Sequence, residues 1–159
     1  ADRPFAVGYP DGKILLGAAQ SYDTEQPILL TAFQESVNAL RWDPTGHLLL
    51  SVGRSEVVKI WGRSGTAWLV LHSLYHTGSV NTAEWCPLPG HGPNPRLMMA
   101  VGCQNGLLYV WTIPQGGSSV SVPQFLSASS IQDRSGVVKV SVCICSCASG
   151  INFTFTTFY

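Results

Sequence analysis

The feature that most constrains the fold of this chain is a pattern of about twelve residues that occurs three times. Its clearest copy is AVGCQNGLLYVW at 100–111, and the others are AVGYPDGKILLG at 6–17 and SVGRSEVVKIW at 51–61, one residue shorter. Each copy combines the end of a strand, a tight turn and an apolar strand, which predicts a β-hairpin. Ala6 and Ala100 lie 94 positions apart with one copy between them, so the mean period is 47 residues. A fixed period of this size predicts an array of similar units.

A second repeat supports the same period. VNTAEWCP at 80–87 repeats VNALRWDP at 37–44 at an offset of 43, sharing Val, Asn, Trp and Pro. The offset grows to 50 between Trp61 and Trp111, so seven residues have been inserted. Because loops absorb insertions cheaply, the segment LPGHGPNP at 88–95 is the expected place.

Each full unit is predicted to contain four short strands joined by turns. In the better copy these strands are expected at 37–42, 47–52, 57–61 and 67–74. A meander of this size has an apolar face that it cannot bury alone, so neighbouring sheets must stack against it.

The order V-x-x-x-x-W-x-P, turn, L-x-x-x-x-G, turn, V-x-x-W resembles the WD40 repeat, whose four-stranded blades form β-propellers. The resemblance implies an all-β fold, a partial WD40-type β-propeller with two to three four-stranded antiparallel blades. It covers 5–115, divided into a partial blade at 5–33 and blades at 34–74 and 75–115. Because propellers close with about four to eight blades, we expect a fragment or incomplete isoform whose parent chain supplies the remaining blades.

The residues after 115 do not continue the repeat. The segment 116–136 is predicted to be a Ser/Gly-rich linker, and 137–159 a divergent β-prone tail in which alternating apolar residues favour one strand. Three cysteines, Cys143, Cys145 and Cys147, lie in that tail. They have no fourth ligand at a standard spacing, so we predict no metal site.

The resemblance also implies a hydrogen-bonded support inside each blade, built from a His, an Asp, a Trp and a hydroxyl. In the third unit His76 stands at the His position and Asn105 replaces the Asp, which predicts a weaker network. In the second unit Phe33 stands at the His position, so Trp61 and Ser51 remain. The first hairpin has Gly17 in place of the Trp.

Four tryptophans recur with the unit and are predicted to be buried structural residues: Trp42, Trp61, Trp85 and Trp111. An aromatic ligand cage is the alternative interpretation. Trp68 lies outside this pattern. His76 could instead be a metal ligand or general base, but the repeat places no suitable partner beside it.

Composition and motifs argue against three classes of protein: an enzyme, a nucleic-acid-binding protein and a membrane protein. The chain contains no phosphate-binding loop, no Gly-x-Ser-x-Gly elbow and no His-Glu-x-x-His, so we predict no enzyme and no cofactor. Nine basic and nine acidic residues give no excess of positive charge for nucleic acid. No apolar run suits a membrane helix and no signal peptide is visible, so a cytoplasmic protein is expected. Only 11% of residues are charged, which suggests that part of the surface meets other protein.

We therefore predict a non-catalytic scaffold that binds other proteins or peptides. In a four-stranded unit, the turn between the second and third strands and the loop before the first strand emerge at one end. That end resembles the ligand-binding top face of WD40 propellers. The predicted partner-binding residues are Tyr9, Phe33, Glu35, Arg54, Glu56, Tyr75 and Gln104.

Other interpretations remain open at this point. A self-contained β-sandwich binding domain would leave the repeat unexplained, and a hydrolase would need a nucleophile with a base. The stretch 40–61 is also similar to WD40 segments of giant HECT and RCC1-like ubiquitin ligases. That similarity implies a ubiquitin-ligase context, although no ligase residue lies in this chain.

Overall fold

The structure is a computed structural model that describes residues 4–18, 26–86, 96–114, 124–130, 142–147 and 150–155. Within these ranges every regular element is a β-strand. Three antiparallel sheets follow one another along the chain, and a two-stranded hairpin comes last. The predicted all-β fold with successive four-stranded units is confirmed. A two-sheet sandwich does not describe it.

Neighbouring strands of each sheet are also consecutive in the chain. Sheet 1 contains β1 (Pro4–Gly8), β2 (Lys13–Ala18) and β3 (Ile28–Thr31). Sheet 2 contains β4 (Val37–Trp42), β5 (Leu48–Gly53), β6 (Val57–Ser64) and β7 (Ala67–Tyr75). Sheet 3 contains β8 (Val80–Trp85), β9 (Arg96–Cys103), β10 (Leu107–Pro114) and β11 (Gln124–Ser130). The tail hairpin contains β12 (Val142–Cys147) and β13 (Gly150–Phe155).

The strand registers show that sheets 2 and 3 are copies of one unit. The first strand of each sheet has an irregularity at the same place, between Val37 and Ala39 in β4 and between Val80 and Thr82 in β8. The third strands also share one, just before Trp61 and just before Trp111. A bulge changes the direction of the side chains beside it. Because the bulges recur at the same positions, β4 and β8 occupy equivalent positions in sheets 2 and 3.

The registers also correct the alignment of the two hairpins. Trp61 pairs with Leu49 and Trp111 with Met99, so the offset of 50 holds in β5 as well as β6. Ser51 is therefore equivalent to Val101, and the prediction that the second copy is one residue shorter was wrong. The inserted segment predicted at 88–95 lies outside the described residues.

Sheet 3 has an outer strand that the sequence did not predict. β11 lies inside the segment 116–136 and pairs with β10 along its length. Its sequence, QFLSASS, lacks the apolar alternation that marks the other strands. The tail likewise contains two paired strands where one was expected.

Two apolar clusters cover both faces of sheet 2. On one side Ile14 and Leu16 of sheet 1 pack with Leu49 and Trp61. On the other side a larger cluster joins sheets 2 and 3, and it includes Leu50, Val52, Val58, Ile60, Val80, Leu97, Met99 and Val101. Because both faces are covered, β5 is buried along its whole length, and the three sheets stack as expected for repeats that share their cores.

Candidate functional site: a rim of turns and loops

One end of the stacked sheets is a rim of turns and loops, in which the hairpin turns of sheets 1 and 2 are each bonded to the segment before the next sheet. We define the rim as residues 9–12, 32–36, 54–56, 75–79 and 104–106. Tyr9 O accepts a hydrogen bond from Val37 N at 3.1 Å, and Glu56 O accepts one from His76 N at 2.9 Å. The turn of sheet 3 is instead bonded to the loop before its own sheet, since Gln104 N donates to Ser79 O at 2.8 Å. The backbone therefore fixes the relative positions of these segments.

The rim carries two adjacent depressions of about 510 and 470 Å³. Glu35 and Arg54 border both, Gln104 lines the first and Phe33 lines the second. The charged groups of Arg54 and Glu35 are 3.9 Å apart. Four of the seven predicted partner-binding residues are thus brought together.

The other three predicted residues lie on the same rim but line neither depression. Tyr75, at the end of β7, is 73% exposed, and Tyr9 is also exposed. The Glu56 side chain points to solvent while its carbonyl oxygen bonds His76.

Several polar residues that the sequence did not single out also face the depressions. Asn38 and Asn81 line the first, and Lys59 lines the second. Lys59 lies within β6 rather than in a turn. Its alternation with buried Val58 and Ile60 was the available signal that it points outward.

His76 supports the rim from below in sheet 3. Trp111 Nε1 donates a hydrogen bond to His76 Nε2 at 3.1 Å, and His76 Nδ1 lies 3.1 Å from Glu56 O. Because an indole nitrogen can only donate, Nε2 must accept, and the proton resides on Nδ1. The imidazole also packs edge-on against Tyr109, with ring centres 4.8 Å apart. His76 thereby connects the turn of sheet 2 to the core of sheet 3.

Asn105 supports the rim through Thr77 instead of through His76. Asn105 Nδ2 donates to Thr77 Oγ1 at 3.3 Å, and Leu107 N donates to Asn105 Oδ1 at 3.2 Å. The Thr77 hydroxyl lies 2.6 Å from the hydroxyl of Tyr109. Sheet 3 therefore has two short networks that meet at Tyr109, which also contacts His76.

Sheet 2 has no histidine at the position of His76, and a hydrogen bond and a cation–π contact take the place of the histidine contacts. Trp61 Nε1 donates to Ser51 Oγ at 2.8 Å, so the expected Trp and hydroxyl pair is present. Sheet 3 has no such hydroxyl because Val101 occupies the equivalent place, and its indole bonds the imidazole directly. At the His position, the Phe33 ring lies 5.2 Å from Lys59 Nζ, which also donates to Ala32 O. A cation–π contact thus stands where sheet 3 pairs His76 with Tyr109.

The prediction that all four recurring tryptophans are buried is correct for two of them and wrong for the other two. Trp61 and Trp85 are buried, whereas Trp42 and Trp111 are half-buried. Trp42 packs edge-on against Trp68, with ring centres 5.7 Å apart. None of the four lines either depression on the rim.

Acidification is expected to weaken the fold through His76. Burial lowers the pKa of His76 below its ordinary 6.5, opposed in part by the hydrogen bond to Glu56 O. Below pH 6.5 the unfolded chain therefore binds a proton that the folded chain excludes, and the free energy of unfolding falls as the pH decreases. Urea unfolding between about pH 7.5 and about pH 5 measures this slope.

The pH slope should be smaller in His76→Gln. Burial also lowers the pKa of His72, so His72→Gln is the matched comparison for the remaining slope. Equal slopes in wild type and His76→Gln would contradict the role of this imidazole.

The described residues offer few other sites. In the ranges that the structure covers, no three His, Cys, Asp or Glu side chains group as metal ligands would. Cys86 and Cys103 are buried, and burial raises the pKa of Cys103 to about 11. Among the residues that the structure describes, no helix is long and apolar enough to cross a membrane.

Together, the repeated four-stranded sheets and their bonded turns define a partial β-propeller of the WD40 type. The family model described as "WD domain, G-beta repeat" matches residues 27–62, which run from just before β3 into β6. The crystal structure of Saccharomyces cerevisiae Sqt1 superposes with a TM-score of 0.63 and 16% identity. It covers 82% of this chain and 32% of that chain, and at this identity the likeness concerns the fold. These findings support the WD40 repeat family for this chain.

A curated relative is named "probable cytosolic iron-sulfur protein assembly protein 1". It comes from Cryptococcus neoformans var. neoformans serotype D and matches in two strains. The identity is 30% over 101 residues, which is 55% of this chain and 23% of the relative. The present chain thus spans about a quarter of the length of the relative it matches.

Proposed function

We propose that this chain is a non-catalytic scaffold that binds another protein or a peptide on the rim. The family match supports the scaffold role, since WD40 propellers are generally interaction platforms. The observation that carries the proposal is the position of Arg54 between two adjacent depressions.

Arg54 is equipped to bind a partner. Its side chain is 76% exposed, and its ion pair with Glu35 is long at 3.9 Å. A guanidinium has five N–H donors, so most of its capacity is open to a carboxylate or a carbonyl of the partner. Arginine and tyrosine are also the residue types that most often dominate binding energy at protein interfaces. Tyr75, nearly as exposed, offers the aromatic surface.

Arg54→Ala and Tyr75→Ala are each expected to weaken partner binding by ~2 kcal/mol, which is about thirtyfold in Kd. Both side chains are exposed, so the circular dichroism spectrum and the unfolding midpoint should stay unchanged. Titration calorimetry with a purified partner measures the effect. Arg63→Ala is the matched control, because Arg63 is an exposed arginine near the β6–β7 turn, where its Nε bonds Gly65 O at 3.0 Å.

The same variants can be used in an affinity-capture experiment that recovers a partner. Immobilised wild-type protein should retain the partner, Arg63→Ala should retain it equally, and Arg54→Ala combined with Tyr75→Ala should not. If the Arg63 variant alone loses the partner, the contact lies at the opposite end of the sheets and the rim assignment is wrong.

A narrower proposal concerns the kind of complex. The relative's printed name describes a cytosolic assembly protein, and that likeness favours a cytoplasmic scaffold acting inside a larger assembly, with further blades of a parent chain. A ubiquitin-ligase context draws no support from the names of the matched proteins, and it rests only on the sequence similarity of 40–61. Co-purification of the tagged parent protein with iron–sulfur assembly factors or with ubiquitin-conjugating enzymes would distinguish the two contexts.

A further inference from the structure

The start of the first strand carries the same three residues in sheets 2 and 3. The triplet Ser-Val-Asn stands at 36–38 and again at 79–81. In both strands the ladder register skips the asparagine of this triplet, which is the extra residue of the bulge. Because a bulge changes the direction of side chains, the same departure from the ladder accompanies Asn38 and Asn81, and both line the first depression. The repeat therefore brings two equivalent amides to one site.

Arg54 supplies positive charge to the same depression. It follows directly on β5, and the residue that follows on β9 is Gln104, which also lines the depression. The exposed side chains of Arg54 and Glu35 approach to 3.9 Å between Nε and Oε2. This distance is too long for a hydrogen bond, since N–H···O bonds end near ~3.2 Å. The N–H donors of the guanidinium are therefore not bonded by Glu35.

Acceptors that border the first depression are already used within the protein. Ser36 Oγ donates to Asn38 Oδ1 at 3.0 Å, so the Asn38 amide offers its two N–H groups to a ligand. The carbonyl oxygen of Ser79 accepts a hydrogen bond from Gln104 N at 2.8 Å. A ligand that supplies acceptors therefore suits this site better than one that supplies donors.

Charge favours the same kind of ligand. Among the described residues, the charged ones that line the two depressions are Arg54, Lys59 and Glu35. Two cations thus stand beside one carboxylate. An anionic group gains attraction from both cations, whereas a basic group meets two like charges, and like charges at an interface exclude wrong partners.

We propose that the first depression binds the side-chain carboxylate of an aspartate or glutamate in a partner peptide. The carboxylate accepts N–H bonds from the Arg54 guanidinium and from the amides of Asn38 and Asn81. Arg54 exchanges its long contact with Glu35 for these bonds, and charge-assisted hydrogen bonds are roughly twice as strong as neutral ones. This inference rests on the function proposed for the rim and specifies the chemistry of the partner.

Three capped tripeptides test this chemistry directly. They are acetyl-Ala-Glu-Ala-amide and its counterparts with Gln or Lys in the centre, so that only the central side chain differs. Each is titrated into the isotope-labelled 159-residue protein, and NMR follows the side-chain N–H signals of Arg54, Asn38 and Asn81. We expect saturable shifts with the glutamate peptide at millimolar concentration. The glutamine peptide should bind about tenfold more weakly, and the lysine peptide more weakly still.

The two members of the ion pair should affect binding in opposite directions. Arg54→Ala should weaken binding of the glutamate peptide about tenfold, whereas Glu35→Gln should strengthen it about threefold because a competing carboxylate is removed. Asn38→Ala and Asn81→Ala should each weaken it about threefold. Arg63→Ala, the exposed arginine near the β6–β7 turn, should bind the peptide as the wild type does. Backbone signals of the strands show whether each variant keeps its fold.

Three results would overturn the proposal: no shift of these signals with any tripeptide, equal affinities for all three, or a preference for the lysine peptide that Glu35→Gln removes. Failure of the rim itself gives a different result, because calorimetry with a purified partner would then show no effect of Arg54→Ala or Tyr75→Ala. A partner that needs both side chains, together with tripeptides that bind equally, would contradict only the carboxylate.

Discussion

Gly12→Ala is expected to lower the free energy of unfolding by about 3 kcal/mol or more. Gly12 has a φ of 84°, where a side chain is strained. A Cβ on this residue would also lie 2.0 Å from the carbonyl oxygen of Phe33. Gly12 O accepts hydrogen bonds from Ala32 N and Phe33 N, both at 3.0 Å, so the turn cannot move away without losing them.

The matched control is Gly46→Ala. Gly46 has a similar φ of 76°, but a Cβ there would meet no atom within 4 Å. Its cost should therefore be the conformational term alone, about 1 kcal/mol. Urea unfolding of both variants measures the difference. Equal losses would show that the turn of sheet 1 is not packed against the loop before sheet 2.

Asp43→Ala is the second large effect, with an expected loss of about 2–4 kcal/mol in the free energy of unfolding. Asp43 is buried, and Oδ1 accepts hydrogen bonds from His47 N at 2.8 Å and Leu48 N at 2.6 Å. Oδ2 accepts from the backbone and the hydroxyl of Thr45. Truncation would leave these donors without their acceptor inside the turn between β4 and β5.

Asp43→Asn distinguishes the contributions of the two carboxylate oxygens to stability. The amide oxygen can still serve His47 N and Leu48 N, while the amide nitrogen cannot accept from Thr45, so about half of the loss is expected. Asp11→Ala is the control carboxylate, because Asp11 is exposed and pairs with Lys13 at 3.1 Å on the surface, where such pairs contribute little. A loss in Asp43→Ala no larger than in Asp11→Ala would contradict the role of this turn.

The repeat made the fold predictable to an unusual degree. The identities between the segments at 37 and 80 placed the first strands correctly, and even their irregularities recur at the same positions. The segment of β11, QFLSASS, carried a weaker signal because it lacks the apolar alternation that marks the other strands. β11 was missed for this reason.

The site was less predictable, because contacts between sheets depend on residue pairs far apart in the chain. The topology correctly indicated that turns and loops share one end, and the Trp61–Ser51 pair was expected. In sheet 2 a contact between Lys59 and Phe33 replaces the ring pair of sheet 3, and neither residue alone predicts this contact. Likewise, nothing local to Asn105 shows that its amide reaches Thr77 rather than His76.

The central claim is that the rim binds a partner, and amide hydrogen exchange of the complex tests it most directly. With a bound partner, we predict slower exchange at residues 34–36, 54–56 and 104–106, where the depressions are lined. Exchange should be unchanged at the turns 44–47 and 65–66, which lie at the opposite end of sheet 2. Protection of those turns, with the rim exchanging as in the free protein, would contradict the claim.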